Sequence, residues 1–175
     1  ILALIIADLK LFCPYHTSAA DHYKAYLRNR LAAQFDALDL GPLSDPAALV
    51  RRDLMLSVAY YSEYQPTLRR LADLYQPDFT ALDAELRAHI LAAKFYFDED
   101  EVFAEWLGRY PHTADPELKS DILYTLVDLA RQPAHLDRLL ELLEQPDIVR
   151  SQDHLFLYVH LLRNPDTRAR ALDWL

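Results

Sequence analysis

Apolar residues recur along this chain with the spacing that places them on one face of a helix. Four such stripes are Leu27, Leu31, Phe35 and Leu38; Leu68, Leu71, Ala72 and Tyr75; Leu136, Leu139, Leu140 and Leu143; and Leu155, Tyr158, Val159 and Leu162. The pattern predicts helices over 1–12, 18–38, 46–62, 66–75, 81–97, 99–109, 116–131, 133–144, 147–163 and 165–175. No stretch of the sequence has the alternating pattern that predicts a strand.

Most of the prolines stand where a helix is predicted to begin. Proline suits the first helical turn because its missing N–H would have no intrahelical partner there. Asp45-Pro46 and Asp115-Pro116 each place an aspartate where its carboxylate can accept from the first free N–H groups of a helix. Further boundaries of this kind are predicted at Gln132-Pro133, Gln145-Pro146 and Asn164-Pro165.

The predicted helices recur in pairs, and a basic residue stands near the start of the first helix of each pair. These residues are Arg52, Arg87, Lys119 and Arg150. Two-helix repeats of roughly 31–35 residues are typical of α-solenoids, because one pair cannot bury its apolar face alone. We therefore predict an all-α fold, a right-handed α-α superhelix or HEAT/ARM-like solenoid of antiparallel helix pairs, as a single domain over 1–175. The recurring basic residue either caps or ion-pairs a neighbouring helix end, or contacts a ligand.

Composition supports the helical prediction and excludes several enzyme scaffolds. The chain holds 34 Leu and 23 Ala but only 12 Ile and Val together, and two glycines. Leu and Ala favour helices, whereas β-branched residues favour strands. Two glycines are too few for phosphate-binding loops, nucleophile elbows or repeated hairpin turns. A Rossmann domain, a P-loop NTPase, an α/β-hydrolase and a β-sandwich are therefore excluded.

The charge balance and the cysteine count restrict the partners and the compartment. The formal net charge of −9 disfavours nucleic-acid binding. No apolar run reaches the length that spans a membrane, so no membrane association is expected. The single cysteine, Cys13, excludes an internal disulfide and a cysteine-based zinc site. Together with the absence of Asn-x-Ser/Thr sites, it favours a cytoplasmic protein.

The residues capable of chemistry form no catalytic or metal-binding pattern. None of the seven histidines belongs to a His-Glu-x-x-His motif, so we predict that they are surface or hydrogen-bonded structural residues. Cys13 is expected to be structural rather than paired with His16 as a nucleophile. The acidic run Asp98–Glu101 either begins a helix or binds a cation or a basic partner. The aromatic groups around Tyr61 and Phe95 either pack between repeats or line a peptide groove.

One part of the sequence carries a family resemblance. Val149–Asp153 opens an apolar helix, which is followed by Asn164-Pro165, by Arg168 and by Ala171–Trp174. This order resembles the C-terminal helical domain of the M1-family zinc aminopeptidases, a group that includes aminopeptidase N. Upstream elements similar to the family's are Leu40-Gly41, Asp83–Arg87, Ala104–Tyr110 and Leu118–Leu126.

The resemblance implies a parent enzyme that removes N-terminal residues from peptides. The family's zinc ligands and catalytic residues lie in a preceding domain, so no catalytic residue and no metal ligand is expected here, and zinc would belong to the parent. The chain would be part of a longer C-terminal helical domain that covers the active site and encloses a peptide chamber. Its partners would be the parent's catalytic domain and peptide substrates. The chamber candidates are Arg150, Gln152, Arg87 and Lys119.

A second hypothesis follows from the repeats alone. Solenoids of helix pairs commonly bind proteins on an extended concave face. The chain would then be a stand-alone α-repeat interaction module, with no role in catalysis.

Overall fold

The computed structural model describes residues 18–145, 148–149, 151–164 and 166–174. Within these residues the regular structure is entirely helical, which confirms the all-α prediction. The predicted helix over 1–12, together with Cys13 and His16, lies outside the described residues. The chain divides into two compact units, Ile1–Ala93 and Lys94–Leu175, which we describe separately.

The described residues form eight α-helices and two short 3₁₀ turns. The helices are α1 (Ser18–Asp36), α2 (Pro46–Tyr61), α3 (Gln65–Ala72), α4 (Arg87–Arg109), α5 (Pro116–Leu129), α6 (Pro133–Leu143), α7 (Ser151–Arg163) and α8 (Arg168–Trp174). The 3₁₀ turns are Phe79–Ala81 and Tyr110–His112. None of the helices in the described part of the chain combines the length and the apolar character that a membrane span requires.

Two aspartates cap helices as the sequence predicts. Asp45 accepts from the backbone N–H groups of Ala47 and Ala48 at the start of α2. Asp115 does the same for Glu117 and Leu118 at the start of α5. Each carboxylate satisfies N–H groups that lack an intrahelical partner, and each is followed by a proline that needs none.

The predicted boundaries around α4 are only partly correct. The helix predicted to begin at residue 81 begins instead at Arg87, after the 3₁₀ turn Phe79–Ala81 and a further turn. The two predicted helices form one helix through Arg109. The predicted break survives as a kink, because Asp98 has non-helical backbone angles (φ −129°, ψ 35°). Likewise α7 begins at Ser151 rather than at 147, and α8 begins at Arg168 rather than at 165.

In the first unit, α1, α2 and α3 contact one another. The core is a cluster of buried residues: Leu27, Phe35, Val58, Ala59 and Tyr61, with Leu31 and Leu38 packed against it. The predicted stripe on α1 therefore faces the core. Polar contacts join the same helices, since Lys24 pairs with Glu63 and Arg28 donates to the backbone oxygen of Ser62 at 2.6 Å.

In the second unit, α5 contacts both α6 and α7, and α7 contacts α8. The largest fully buried side chains there are Phe95, Phe103, Trp106, Tyr110 and Ile122. The rings of Phe95 and Trp106 lie 5.9 Å apart, centroid to centroid. The aromatic residues Tyr61 and Phe95 thus belong to the packed interiors of their respective units, as the core interpretation predicts.

The buried face of α7 differs from the predicted one. Leu157 and Leu161 are buried, whereas Leu155, which the stripe assigns to the core, is 69% exposed. Nearly every residue of α7 between Leu155 and Leu162 is apolar, so apolar spacing alone does not select one face of this helix. The tertiary contacts with α5 and α8 decide the orientation.

Asn164 joins the end of α7 to the end of α5. Its buried side-chain amide donates to the backbone oxygens of Val127 and Ala130, at 3.2 and 2.9 Å. Its side-chain oxygen accepts from the backbone N–H of Asp166 at 3.0 Å. The carbonyls at the C-terminus of α5 lack intrahelical donors, so Asn164 caps a helix that lies one repeat earlier in the chain.

We expect Asn164→Asp to destabilise the chain by about 1–3 kcal/mol, because an aspartate cannot donate to the two buried carbonyls. Asn164→Ala should also lose stability, since it removes all three hydrogen bonds. Urea unfolding followed by circular dichroism measures the change. Asn29→Ala, on the exposed side of α1, is the control and should change stability little. Equal stability of the Asn164→Asp variant and the unsubstituted chain would contradict the capping role.

Candidate functional site

The four chamber candidates fall in different parts of the structure. Arg87 is buried at the start of α4, in the first unit, and Lys119 lies on α5, in the second. Arg150 lies outside the described residues. Gln152 belongs to the first turn of α7, but its side chain is not among those described. Lys119 is therefore the candidate whose surroundings define a site.

The recurring basic position does not have one common role. Arg52 is buried, and its guanidinium donates to the backbone oxygen of Gly41 at 2.6 Å. Gly41 lies in the loop before α2, the helix that carries Arg52, so the contact is not with the end of a neighbouring helix. Lys119 instead places its ammonium 4.7 Å from the centre of the Tyr110 ring.

A surface groove surrounds Lys119. It is shallow and open to solvent, encloses only about 10 Å³, and is lined by Tyr110, Lys119, Ser120, Leu123, Tyr124, Phe156 and Leu157. We call it the Lys119 groove. The residues come from the 3₁₀ turn after α4, from α5 and from α7, all within the second unit. The contact between α5 and α7 therefore holds the two sides of the groove together.

The Lys119 groove combines a cation with aromatic surface. Tyr110 is buried beneath the lysine, whereas Tyr124 and Phe156 are 38% and 56% exposed. A lysine ammonium over an aromatic face is held by the electrostatic field of the ring. The groove thus presents an ammonium beside exposed aromatic surface.

The sequence did not single out Tyr124 or Phe156. Tyr124 is five residues after Lys119 on α5, so the spacing alone does not show that both line one groove. Phe156 lies on a helix that is apolar on most sides, and its 56% exposure comes from the orientation of that helix. The only feature of the sequence that pointed to an exposed Phe156 was the excess of apolar residues on α7.

A buried carboxylate forms the polar centre of the second unit. The Glu99 side chain is only 5% exposed. Its oxygen Oε1 accepts from the backbone N–H groups of Arg131 and Gln132, at 2.9 and 3.3 Å. Oε2 accepts from the Arg131 guanidinium at 3.2 Å, and Oε1 also accepts from Nδ1 of His135 at 2.9 Å.

Glu99 supplies the cap that α6 lacks locally. Gln132 stands at the N-cap of α6 but makes no capping bond with its side chain. The Glu99 carboxylate arrives from α4 and lies at the positive end of the α6 dipole. The acidic run Asp98–Glu101 therefore contains a kink and an interhelical cap, rather than a simple helix start.

The hydrogen bonds to Glu99 also determine its charge. Burial alone would raise the pKa of this carboxyl, but the bonds from Arg131, His135 and Gln132 outweigh it. The net effect is a pKa below the ordinary value, and Glu99 is ionised at neutral pH. The four donors thus compensate the cost of burying the charge.

Two other histidines also contact carboxylates. Nε2 of His89 lies 2.8 Å from Asp53, and Nδ1 of His160 lies 2.6 Å from Asp128. The hydrogen bond from His89 lowers the pKa of Asp53, against the opposing effect of partial burial. The prediction of hydrogen-bonded structural histidines is confirmed for His89, His135 and His160. Among the described residues, no group of three or more side chains is arranged to hold a metal ion.

We expect Glu99→Gln to cost about 1.5–3 kcal/mol of folding stability at pH 7, because charge-assisted bonds to a buried carboxylate are lost. Because the pKa of Glu99 is lowered in the folded chain, the ionised carboxylate stabilises the fold at pH values above its ordinary pKa. This stabilisation is lost as the pH falls through the folded-state pKa. The difference between the two chains should therefore shrink between about pH 5 and pH 2. Urea unfolding across this range measures it.

Glu101→Gln removes the same charge from an exposed position and serves as the control. It should leave the stability at pH 7 nearly unchanged. If Glu99→Gln and Glu101→Gln gave the same stability at every pH, Glu99 would not have the capping role.

Comparison with known proteins identifies a family for this chain. Residues 6–175 match the family model described as ERAP1-like C-terminal domain. Aminopeptidase N of Lactococcus lactis subsp. lactis is 27% identical over 177 residues, 97% of this chain and 21% of the relative. Aminopeptidase N of Lactobacillus helveticus is 27% identical over 128 residues, 71% of this chain and 15% of that relative. The chain thus spans only a small part of the length of these relatives. By the family match, the chain belongs to the ERAP1-like C-terminal domain family, the helical C-terminal domain of M1 aminopeptidases.

Proposed function

We propose that this chain is the non-catalytic C-terminal domain of a zinc-dependent M1 aminopeptidase. In this role it covers the active site and forms part of the chamber in which peptides lose their N-terminal residues. The family match over 6–175 is the observation that carries the proposal. Zinc and the catalytic groups then belong to the parent's catalytic domain, which is the chain's main partner.

The helix contacts of the second unit support a superhelical arrangement for this domain. Within that unit, α5 contacts the next helix, α6, and also α7, the first helix of the following pair. α7 in turn contacts α8. Contacts within a pair and between neighbouring pairs are what a solenoid needs to bury its apolar faces. We therefore propose one HEAT/ARM-like domain, located in the cytoplasm with its parent.

We propose that the Lys119 groove is a peptide-contacting part of the chamber. A peptide offers a carboxylate and apolar side chains, and the groove offers an ammonium beside Tyr124 and Phe156. A peptide side chain that covers the exposed apolar surface of Phe156 removes this surface from water, which favours binding. Arg87, Arg150 and Gln152 remain proposed chamber residues.

The peptide role of the groove is tested in a full-length aminopeptidase that carries this domain. We expect Lys119→Gln to raise KM for a peptide of about ten residues by roughly threefold to tenfold, the effect of losing one charge-assisted contact. The kcat/KM for a single-residue chromogenic amide should not change, because such a substrate is too short to reach the Lys119 groove from the catalytic centre. Phe156→Ala should act in the same direction on the long peptide.

Arg163→Gln is the matched control, since Arg163 is an exposed cation at the other end of α7. It should leave both substrates unaffected. A Lys119→Gln enzyme that handles the long peptide as the Arg163→Gln enzyme does would refute the groove's role.

The parent gene gives a separate test: a His-Glu-x-x-His motif is expected roughly 200–400 residues upstream, across one or two intervening domains. Its absence would refute the aminopeptidase proposal and favour an independent interaction module.

The isolated chain is expected to be catalytically inactive. Purified protein should contain no stoichiometric zinc by atomic absorption and should not hydrolyse aminoacyl chromogenic amides. The chemistry requires a zinc site with its ligands and a general base, which the proposal assigns to the parent's catalytic domain. Zinc-dependent hydrolysis by the chain alone would contradict this assignment.

A further inference from the structure

The kink in α4 has no local cause in the sequence. Sharp kinks arise at proline, at Gly or Ser pairs, at π-bulges, or where a side chain enters the hydrogen-bond ladder of the helix. Residues 88–107 of α4 contain no proline, glycine or serine, and those around Asp98 are α-helical rather than π-helical. Asp98 nevertheless has non-helical backbone angles. The cause therefore lies in contacts with other segments.

The acidic run at the kink does not cap a new helix through Asp98. A capping aspartate accepts from N–H groups two or three positions later. Within the described part of the chain, the Asp98 carboxylate instead accepts from Nζ of Lys94, at 2.9 Å. The two residues are four positions apart, a spacing that a continuous helix brings together. The side-chain contact of Asp98 is thus the contact of an unbroken helix.

Arg131, in the segment before α6, supplies a side chain that enters the ladder of α4. Its Nη2 donates to the backbone oxygen of Tyr96 at 3.0 Å, and its guanidinium lies 5.3 Å from the centre of the Tyr96 ring. In a regular helix this oxygen accepts from the N–H of the residue four positions later. Arg131 competes for this acceptor two residues before the kink, and such an insertion bends a helix.

The same arginine also holds α4 on the other side of the kink. Nε of Arg131 donates to Oε2 of Glu99 at 3.2 Å, and the backbone N–H of Arg131 donates to Oε1 at 2.9 Å. Arg131 therefore contacts α4 just before Asp98, at Tyr96, and just after it, at Glu99. Its fork of N–H donors can serve both acceptors at once.

We propose that Arg131 is a clamp that keeps α4 bent and thereby positions Glu99 at the start of α6. With the arginine side chain in place, α4 is kinked at Asp98 and Glu99 caps α6. Without it, no residue between 94 and 102 breaks a helix, so α4 becomes continuous and the cap is weakened. Arg131 is then a positioning residue for Glu99 as well as its ion-pair partner.

The test follows the backbone at position 98 by NMR in the 175-residue chain. The Cα secondary chemical shift reports whether a residue has helical backbone angles. For Arg131→Gln we expect this shift to move from a non-helical to a helical value. The N–H of Gln132, which donates to Glu99, should exchange with solvent roughly threefold to tenfold faster after correction for the changed neighbour, the scale of one weakened hydrogen bond.

The Arg131 side chain is 48% exposed, so the variant should fold. Unchanged methyl shifts of Ile122, which is fully buried, show that the rest of the second unit is intact. A position 98 that stays non-helical in folded Arg131→Gln would overturn the proposal.

Two further variants separate the clamp from other causes of the kink. Arg138→Gln is the matched control, because Arg138 is an exposed arginine of α6 whose guanidinium also reaches α4, 5.6 Å from the centre of the Phe103 ring. Asp98→Ala tests a local cause, since it removes the acidic side chain and favours a helix. Both should keep the kink while Arg131 is present, and straightening of α4 in either would overturn the proposal. Neither the clamp nor its test depends on whether the chain comes from an aminopeptidase.

Discussion

The second unit depends on a carboxylate that is held away from water. A buried charge is costly unless donors surround it, and Glu99 meets four of them from one short segment, residues 131–135. The same contacts cap α6 and orient the Arg131 guanidinium and the His135 ring. Glu99 directly follows the kink of α4 at Asp98, so the backbone irregularity and the buried charge are adjacent in the chain. The groove residues on α5 and α7 lie in the unit that this feature helps to hold together.

Polar contacts of this kind recur between helix pairs on both sides of the division at residue 93. Lys24 with Glu63, Thr67 with the backbone of Phe35, and Arg170 with Asp137 all join segments about one repeat apart. The apolar core supplies most of the stabilisation, but it is less specific about register, because leucine can pack against leucine in several ways. Buried and half-buried polar pairs penalise a shifted register, since a shift would leave their partners unsatisfied. The repeats thus combine a permissive core with selective polar links.

The sequence predicted the local features well and the interhelical ones poorly. Asp45 and Asp115 were identifiable as caps because a cap is a relation between residues two or three positions apart. Glu99 and Asn164 cap helices more than thirty positions away, and no local pattern encodes which helix end they meet. The orientation of α7 was mispredicted because a helix that is apolar on most sides does not reveal its buried face. Lys119 was found through the repeat period, whereas Tyr124 and Phe156 became part of the site only through the packing of α5 against α7.

The spacing of the polar links has a consequence for how the chain folds. Lys24–Glu63, Asp53–His89, Glu99–His135 and Asp128–His160 close loops of 39, 36, 36 and 32 residues. Loop-closure entropy varies only slowly with loop length, so these four closures carry nearly the same entropic cost. The length of the closed loop therefore does not favour any of these four links as the first to form during folding. The order in which the helix pairs assemble is then determined by the strength of each interface, and a single substitution at one interface can change where folding begins.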